Sequence, residues 1–410
     1  MRIYAKRSDL RPLHFGALLL ILIIGCLIAL LIPAASAVDG STHNTNTAPA
    51  LSKGNNAGSA GEVFDFPEDH ILHKPEAIVD NIELFLEWLY WTGELRDANT
   101  GDLYGFQYTL FNQNLKPGLV GYVNHAAISD TRNSQHPRYR YAALPQQADI
   151  TNGTDAKMGP YWRYEDNQTT LTYWVDLDTW NILTSGNVSS DGGHGQNLSL
   201  NLTIANENAD YYIHRQNGLS DQGICLDVGS EPLAGKSYYY SHPSMTTKGS
   251  ISLDGRNIDV QGSSWFDHQW GGFGKCYSAW DWFSLRLDDG SFVMLYNLKD
   301  PSLNDLPDQR GLSYIDRNGK IEWWYGEEAA NLTANRWWES DLFGFRYPLD
   351  WTIDTPIGKL ALQPYFDEQT MNVAPGEVKY WEGIIRVREG DLNGKQIGIG
   401  YMELAGYAPI

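Results

Sequence analysis

The sequence predicts an all-β fold, antiparallel meanders closed into barrels behind an N-terminal apolar leader. Helical periodicity is almost absent along the chain. Short alternating strands recur instead, with Asp-Gly or Asn-Gly between them, the pairs that supply the positive φ of tight hairpins. Aromatic residues make up 13 % of the chain, which suits barrels with apolar interiors large enough for a ligand. A long meander must also hide its edges, and closure does so.

Taken in order, the leader comes first. Lys6, Arg7 and Arg11 precede an apolar run from Phe15 to Ile32, and Ala35-Ser36-Ala37 follows. Residues 1–37 therefore read as a signal peptide with a small-residue cleavage site. The run also nears the lower limit for a membrane span, so an uncleaved anchor is an equal reading, with membrane contact through this segment. Ile23-Ile24-Gly25-Cys26 resembles a lipoprotein box, but apolar residues continue beyond Cys26. Both leading readings place the rest outside the cytoplasm. Residues 38–63, rich in Ser, Thr, Asn, Ala and Gly, read as a flexible linker.

The strands follow. Leu84 to Leu95 reads as one strand, turned by Asn99-Thr100-Gly101-Asp102 into Leu103 to Phe111. Asn124 to Asp130 reads as the next. Asp191 to Gly195 is a loop whose glycines lack the context of a phosphate-binding loop. Later hairpins are expected at Asp254-Gly255, Asp289-Gly290, Asn318-Gly319 and, over a wider loop, Asn393-Gly394. The length beyond the linker suits two domains, placed at 64–270 and 271–410.

Charge and cysteine usage narrow the partners. The net charge of −20 becomes −23 once residues 1–37 are removed, because that segment carries four basic groups and one acidic group. Such a chain repels phosphate backbones, so no nucleic-acid partner is expected. Six Asn-x-Ser/Thr sequons, at Asn152, Asn167, Asn187, Asn197, Asn201 and Asn331, fit an exported surface. Cys225 and Cys276 are the only cysteines outside the leader. They are expected to pair in an oxidising compartment, and their spacing makes no zinc site. No metal and no cofactor are expected.

The stretch Gly262 to Gly271 sets Asp267 and His268 side by side between Trp265 and Trp270. Trp280 to Gly290 follows as a strand entering a turn. Charged groups among apolar rings are candidates for acid–base work, and a satisfied structural pair is the competing reading. Neighbours on a strand point to opposite faces, so Asp267 and His268 share a pocket only if the segment bulges.

Three blocks in order are Glu87-Trp88-Leu89-Tyr90-Trp91-Thr92-Gly93, Ser264 to Gly271 with Trp282 to Gly290, and Gly400 to Tyr407. Asn124 to Asp130, Tyr238 to Ser241 and Tyr380 to Gly383 add lesser matches. Together they resemble the hydroxyneurosporene synthase (carotenoid 1,2-hydratase) family, also called AttH-like, over residues 64 to 410. The resemblance implies two consecutive antiparallel lipocalin-like (calycin) β-barrels, with the Trp265–Gly271 block near their junction. It also implies an apolar terpenoid or lipid-like ligand and either water added across a C=C, as in hydratase members, or a guided pericyclic cyclisation, as in other relatives. The chain departs from the family at Gln269, where members often carry Glu, and at Leu89, where they often carry Trp.

Alkene hydration begins with protonation to a tertiary carbocation, which needs an acid that stays protonated near neutrality. Asp267 against Trp265 and Trp270 is the candidate acid, with His268 as orienter or water base. Trp282, Tyr240 and Tyr401 are candidates to stabilise the cation through their ring faces. Glu87, His125 and Glu403 are secondary candidates for the pocket, Glu403 with Arg286 as a partner. A non-catalytic lipid or terpenoid carrier needs the cavity without the acid. An exported glycan-binding or glycan-cleaving β-protein is the third reading.

Overall fold

The computed structural model describes residues 64–73, 85–116, 119–186, 194–207, 210–214, 218–221, 236–272, 279–299, 309–340, 344–371 and 379–407. The leader, the linker, Asn187, Cys225 and Cys276 lie outside the described residues. Among the described residues, no helix is long and apolar enough to cross a membrane.

The described chain is almost wholly antiparallel strand, in two curled sheets that form consecutive lipocalin-like barrels. The first sheet uses β1 (Phe85–Asp97), β2 (Leu103–Lys116), β3 (Leu119–Asp130), β4 (Arg138–Ala143), β5 (Ala148–Asp155), β6 (Gly159–Asp166) and β7 (Thr169–Trp174). It continues with β8 (Thr179–Ser185), β9 (His194–Gly195), β10 (Leu198–Ala205), β11 (Tyr212–Ile213), β12 (Leu219–Asp221), β13 (Lys236–Leu253) and β14 (Arg256–Gly272). Its order is β5-β6-β7-β8-β10-β13-β14-β1-β2-β3-β4-β9, with β11 and β12 added to β13. The chain thus returns late to pair β14 with β1, leaving both in the middle of the sheet.

The second sheet uses β15 (Ala279–Leu287), β16 (Phe292–Lys299), β17 (Gln309–Ile315), β18 (Ile321–Tyr325) and β19 (Asn331–Glu339). Then come β20 (Arg346–Thr355), β21 (Gly358–Pro364), β22 (Thr370–Met371), β23 (Tyr380–Glu389) and β24 (Gln396–Ala405). Its order is β18-β17-β16-β15-β24-β23-β21-β20-β19, with β22 on β23. Here too the last strand closes onto the first.

Turn chemistry was read correctly in kind and only partly in detail. Leu253 pairs with Arg256, so Asp254 (φ 50°) and Gly255 (φ 77°) form a two-residue hairpin loop with both residues left-handed. At Asp289-Gly290 and Asn318-Gly319 only the glycine is left-handed, and the loops are longer. At the Asn393-Gly394 loop the left-handed residue is Gly390 instead. The sequon asparagines Asn152, Asn167, Asn197, Asn201 and Asn331 are exposed.

Alternation along the central strands creates three apolar layers. Leu89, Trp91, Phe266 and Trp270 fill the first barrel with Tyr108, Trp180 and Tyr240. Phe283, Leu285, Met402 and Leu404 fill the second with Trp351 and Trp381. The outward faces of the same strands meet between the barrels, where Tyr90, Tyr239, Trp265, Trp282, Ile384 and Tyr401 pack together.

Candidate functional site

The inter-barrel layer carries ionisable groups among its rings. Asp267 lies on β14 and is 2 % exposed. Its Oδ1 accepts from Trp265 Nε1 at 2.6 Å and from the Ser241 hydroxyl, and its Oδ2 accepts from Tyr239 Oη at 2.8 Å. Trp282 Nε1, from the second barrel, donates to Tyr239 Oη at 3.1 Å. Behind Ser241 stands His214, with Nε2 at 2.6 Å from Ser241 Oγ and Nδ1 at 2.8 Å from Ser313 Oγ of the second barrel. Burial pushes the Asp267 carboxyl up to about 7, although its three donors favour the ionised form.

Two further carboxyls share the layer. Glu382 and Glu403 are directly paired across β23 and β24. Burial drives both upward, and for Glu382 the neighbouring Glu403 adds to the shift. Tyr90 Oη donates to Glu382 Oε1, and Trp280 Nε1 donates to Glu403 Oε1 at 3.0 Å. Arg286 does not pair with Glu403 as the sequence suggested. It reaches Glu94 at 3.4 Å, because β15 aims it toward β1. A small recess, large enough for about one water, opens here, walled by Trp265, Tyr401, Ser284, Arg286 and Thr92. Trp265 joins the two features, since its indole nitrogen holds Asp267 while the residue walls the recess.

One expectation fails. Asp267 and His268 do not line a common pocket. β14 runs without a bulge against β1 from Val260 to Gly272, so the two neighbours take opposite faces. His268, Trp270 and Tyr240 point into the first barrel, whereas Trp265, Asp267, Trp282 and Tyr401 lie between the barrels. Glu87 is likewise inside the first barrel and fully buried, where it meets His268 Nε2 at 2.9 Å and His73 Nδ1 at 2.6 Å. Burial would raise Glu87, but His73 and His268 hold it down to about 2. Burial would lower His73, but Glu87 and Asp69 push it up to about 9. His125 is half-buried elsewhere between the barrels, bonded through Nδ1 to Tyr380 Oη at 2.6 Å, and burial lowers it to about 3.

Several site residues escaped the sequence reading. Tyr239 and Ser241 stand on either side of Tyr240, and a period-two reading of that strand would have put them on the Asp267 face. Tyr90 and Glu382 lie within the quoted blocks beside the residues chosen. His73 and His214 carry no local signal, since each is brought in by tertiary pairing alone.

A pair of lipocalin-like barrels with buried acids between them defines a class of protein. The AttH-like family model matches residues 57–407, and the chain belongs to that family. It is 25 % identical over 172 residues to kievitone hydratase of Fusarium solani subsp. phaseoli, covering 41 % of this chain and 48 % of that protein. It is also 25 % identical over 284 residues to glucosyltransferase-S of Streptococcus mutans, covering 60 % of this chain. The chain thus spans about half the length of the first relative and 18 % of the second. The crystal structure of an AttH protein from Nitrosomonas europaea superposes with a TM-score of 0.66 at 22 % identity, covering 85 % of this chain and 98 % of that one. Kievitone hydratase from Nectria haematococca gives 0.57 at 17 % identity, covering 79 % and 89 %.

Proposed function

We propose that this protein is an exported hydratase-type enzyme that adds water across a C=C at the end of an apolar terpenoid or lipid-like molecule. The observation that carries the reading is Asp267, a buried carboxyl near neutral pKa, wrapped by Trp265, Tyr239 and Trp282 beside a recess. The sequence likeness to a hydratase supports the reaction class.

In the proposed reaction, protonated Asp267 gives its proton to the less substituted alkene carbon. The π pair forms the new C–H bond and leaves a tertiary cation. Ring faces of Trp265, Trp282 and Tyr401 stabilise that cation, each contact contributing roughly 0.5–2 kcal/mol. Water attacks the cation and returns a proton to the carboxylate, so the sum is alkene plus water to alcohol. Ligand pockets commonly measure about 300–1,000 Å³. The recess here is far smaller, with room for about one water, so it must widen before an end group enters.

The test is incubation with acyclic terpenoids and prenylated aromatics in ¹⁸O-labelled water, followed by mass spectrometry. A product heavier by one labelled water is expected. Asp267→Asn should lower its rate at least about 100-fold while the protein stays folded by circular dichroism. Equal rates in the two proteins reject the acid role. Tight ligand retention by both proteins with no product favours the non-catalytic carrier.

A further inference from the structure

We propose that His73, Glu87 and His268 form a zinc-type metal site inside the first barrel, independent of the chemistry proposed between the barrels. The three residues come from separate elements. His73 follows the short 3₁₀ turn Glu68–His70, Glu87 lies on β1 and His268 on β14. His73 Nδ1 or Nε2, Glu87 oxygen and His268 nitrogen each offer a ligand atom, all within 4.8 Å of one another.

The ligand atoms converge on one point. His268 Nδ1 sits 2.9 Å from the Asp69 carbonyl oxygen and 3.2 Å from the Tyr240 hydroxyl, and donation to the carbonyl leaves Nε2 facing Glu87 Oε1 at 2.9 Å. His73 Nε2 sits 3.0 Å from the Asp69 carboxylate, and its Nδ1 lies 2.6 Å from the same Glu87 Oε1. The two imidazole ring centres are 5.5 Å apart. Without metal, a proton fills each contact between imidazole and carboxylate. One divalent cation would replace those protons and join all three atoms.

The surroundings match what a metal site needs. In the metal-binding tautomers both outer imidazole nitrogens donate to Asp69, one to its carboxylate and one to its carbonyl, and the inner nitrogens face a common point. The other Glu87 oxygen, Oε2, accepts from Asn112 Nδ2 at 2.8 Å, and the His73 backbone N–H is shared between Oε1 and Oε2 at 3.0 Å each. Asn112, 2 % exposed, keeps its Oδ1 without a partner in the same amide group. Two imidazoles and one carboxylate are a recurrent zinc donor set with room for water as fourth ligand. Metal bonds of about 2.0–2.2 Å in a tetrahedron separate donor atoms by roughly 3.3 Å, so the present contacts would open by about 0.4–0.7 Å. His73 is the partner free to give, since its side chain is 18 % exposed.

The purified full-length protein, stripped with chelator, would be dialysed against Zn²⁺ and analysed for metal, and separately titrated with Co²⁺ as a visible probe. One equivalent of zinc per chain is expected, with intense cobalt d–d bands of low coordination number. His73→Ala should weaken zinc binding at least 100-fold, and Asp69→Asn should weaken it 10- to 100-fold. Zinc should also raise the melting temperature of the unaltered protein, because the ion ties residues 64–73 to two central strands. If His73→Ala does not fold, the Asp69→Asn affinity and the melting shift decide. Absence of stoichiometric uptake by the folded protein overturns the site, as does uptake indifferent to these substitutions.

Discussion

Asp267 is held by opposing forces. Burial favours its neutral form, and the hydrogen bonds from Trp265, Ser241 and Tyr239 favour its charge. Burial wins, and the sign of the consequence for stability follows. An aspartate in an unfolded chain titrates at about 3.9, whereas here the folded value is about 7. Between these values the folded state binds more protons than the unfolded, so stability falls as pH rises through that window and levels off above it. Glu403, shifted upward by burial, acts in the same direction. Glu87, shifted down to about 2, contributes mainly below the window. Burial lowers His70, His125, His136, His214, His242 and His268, which act in the opposite direction over the same range, so the acids show as a difference between proteins. Relative to Asp267→Asn, the urea midpoint of the unaltered protein should fall steadily from pH 4 to 8. A difference between the two proteins that stays constant across this range would rule out a neutral Asp267.

At the scale of elements, the strand pair β1–β14 sets the site, and its closeness depends on glycine. A Cβ on Gly262 would meet the Glu94 carbonyl oxygen at 1.9 Å, a backbone atom with nowhere to go. Gly255, at the hairpin tip, has open space around it and only its left-handed φ of 77° to protect. Gly262→Ala is expected to lower stability by about 1–3 kcal/mol or more through overpacking. Gly255→Ala should cost about 1–2 kcal/mol through backbone strain. Denaturant unfolding of the two variants checks the order, and a smaller loss at Gly262 would contradict this packing.

The same pair shows what the chain made legible. Period-two patterning and the Asp254-Gly255 turn reveal the tip of the β13–β14 hairpin, Ile251 to Val260, without any partner. Asp267 could be picked from its flanking indoles. The face it takes could be stated only as a condition, since a bulge leaves no reliable trace in one sequence. Glu87 was only a secondary candidate, because nothing local shows that β14 and residues 64–73 bring two histidines to it. Contacts such as His214 with Ser241 arise from closure, and they are separated by 27 residues or more along the chain.

For the whole molecule, each barrel leaves one face of its closing strands for the other. The first barrel is packed with rings at Trp91, Trp180, Phe266 and Tyr108, so its interior is a core where the composition suggested a ligand chamber. The ionisable chemistry is divided between that core and the layer outside it. Full-length protein therefore offers two addresses, one acidic and between barrels, the other rich in imidazole and enclosed.

The unbulged run of β14 makes it a partition one residue thick. A saturation library along residues 264–270 should consequently read out as a two-stroke rhythm. Odd positions, Trp265 and Asp267, should yield well-folded proteins with altered turnover or ligand retention. Even positions, Phe266, His268 and Trp270, should yield poor expression and early melting with activity per folded molecule spared. Deep mutational scoring of abundance against function would show the two signals in antiphase, and a library in which they rise and fall together would mean the partition is not a wall at all.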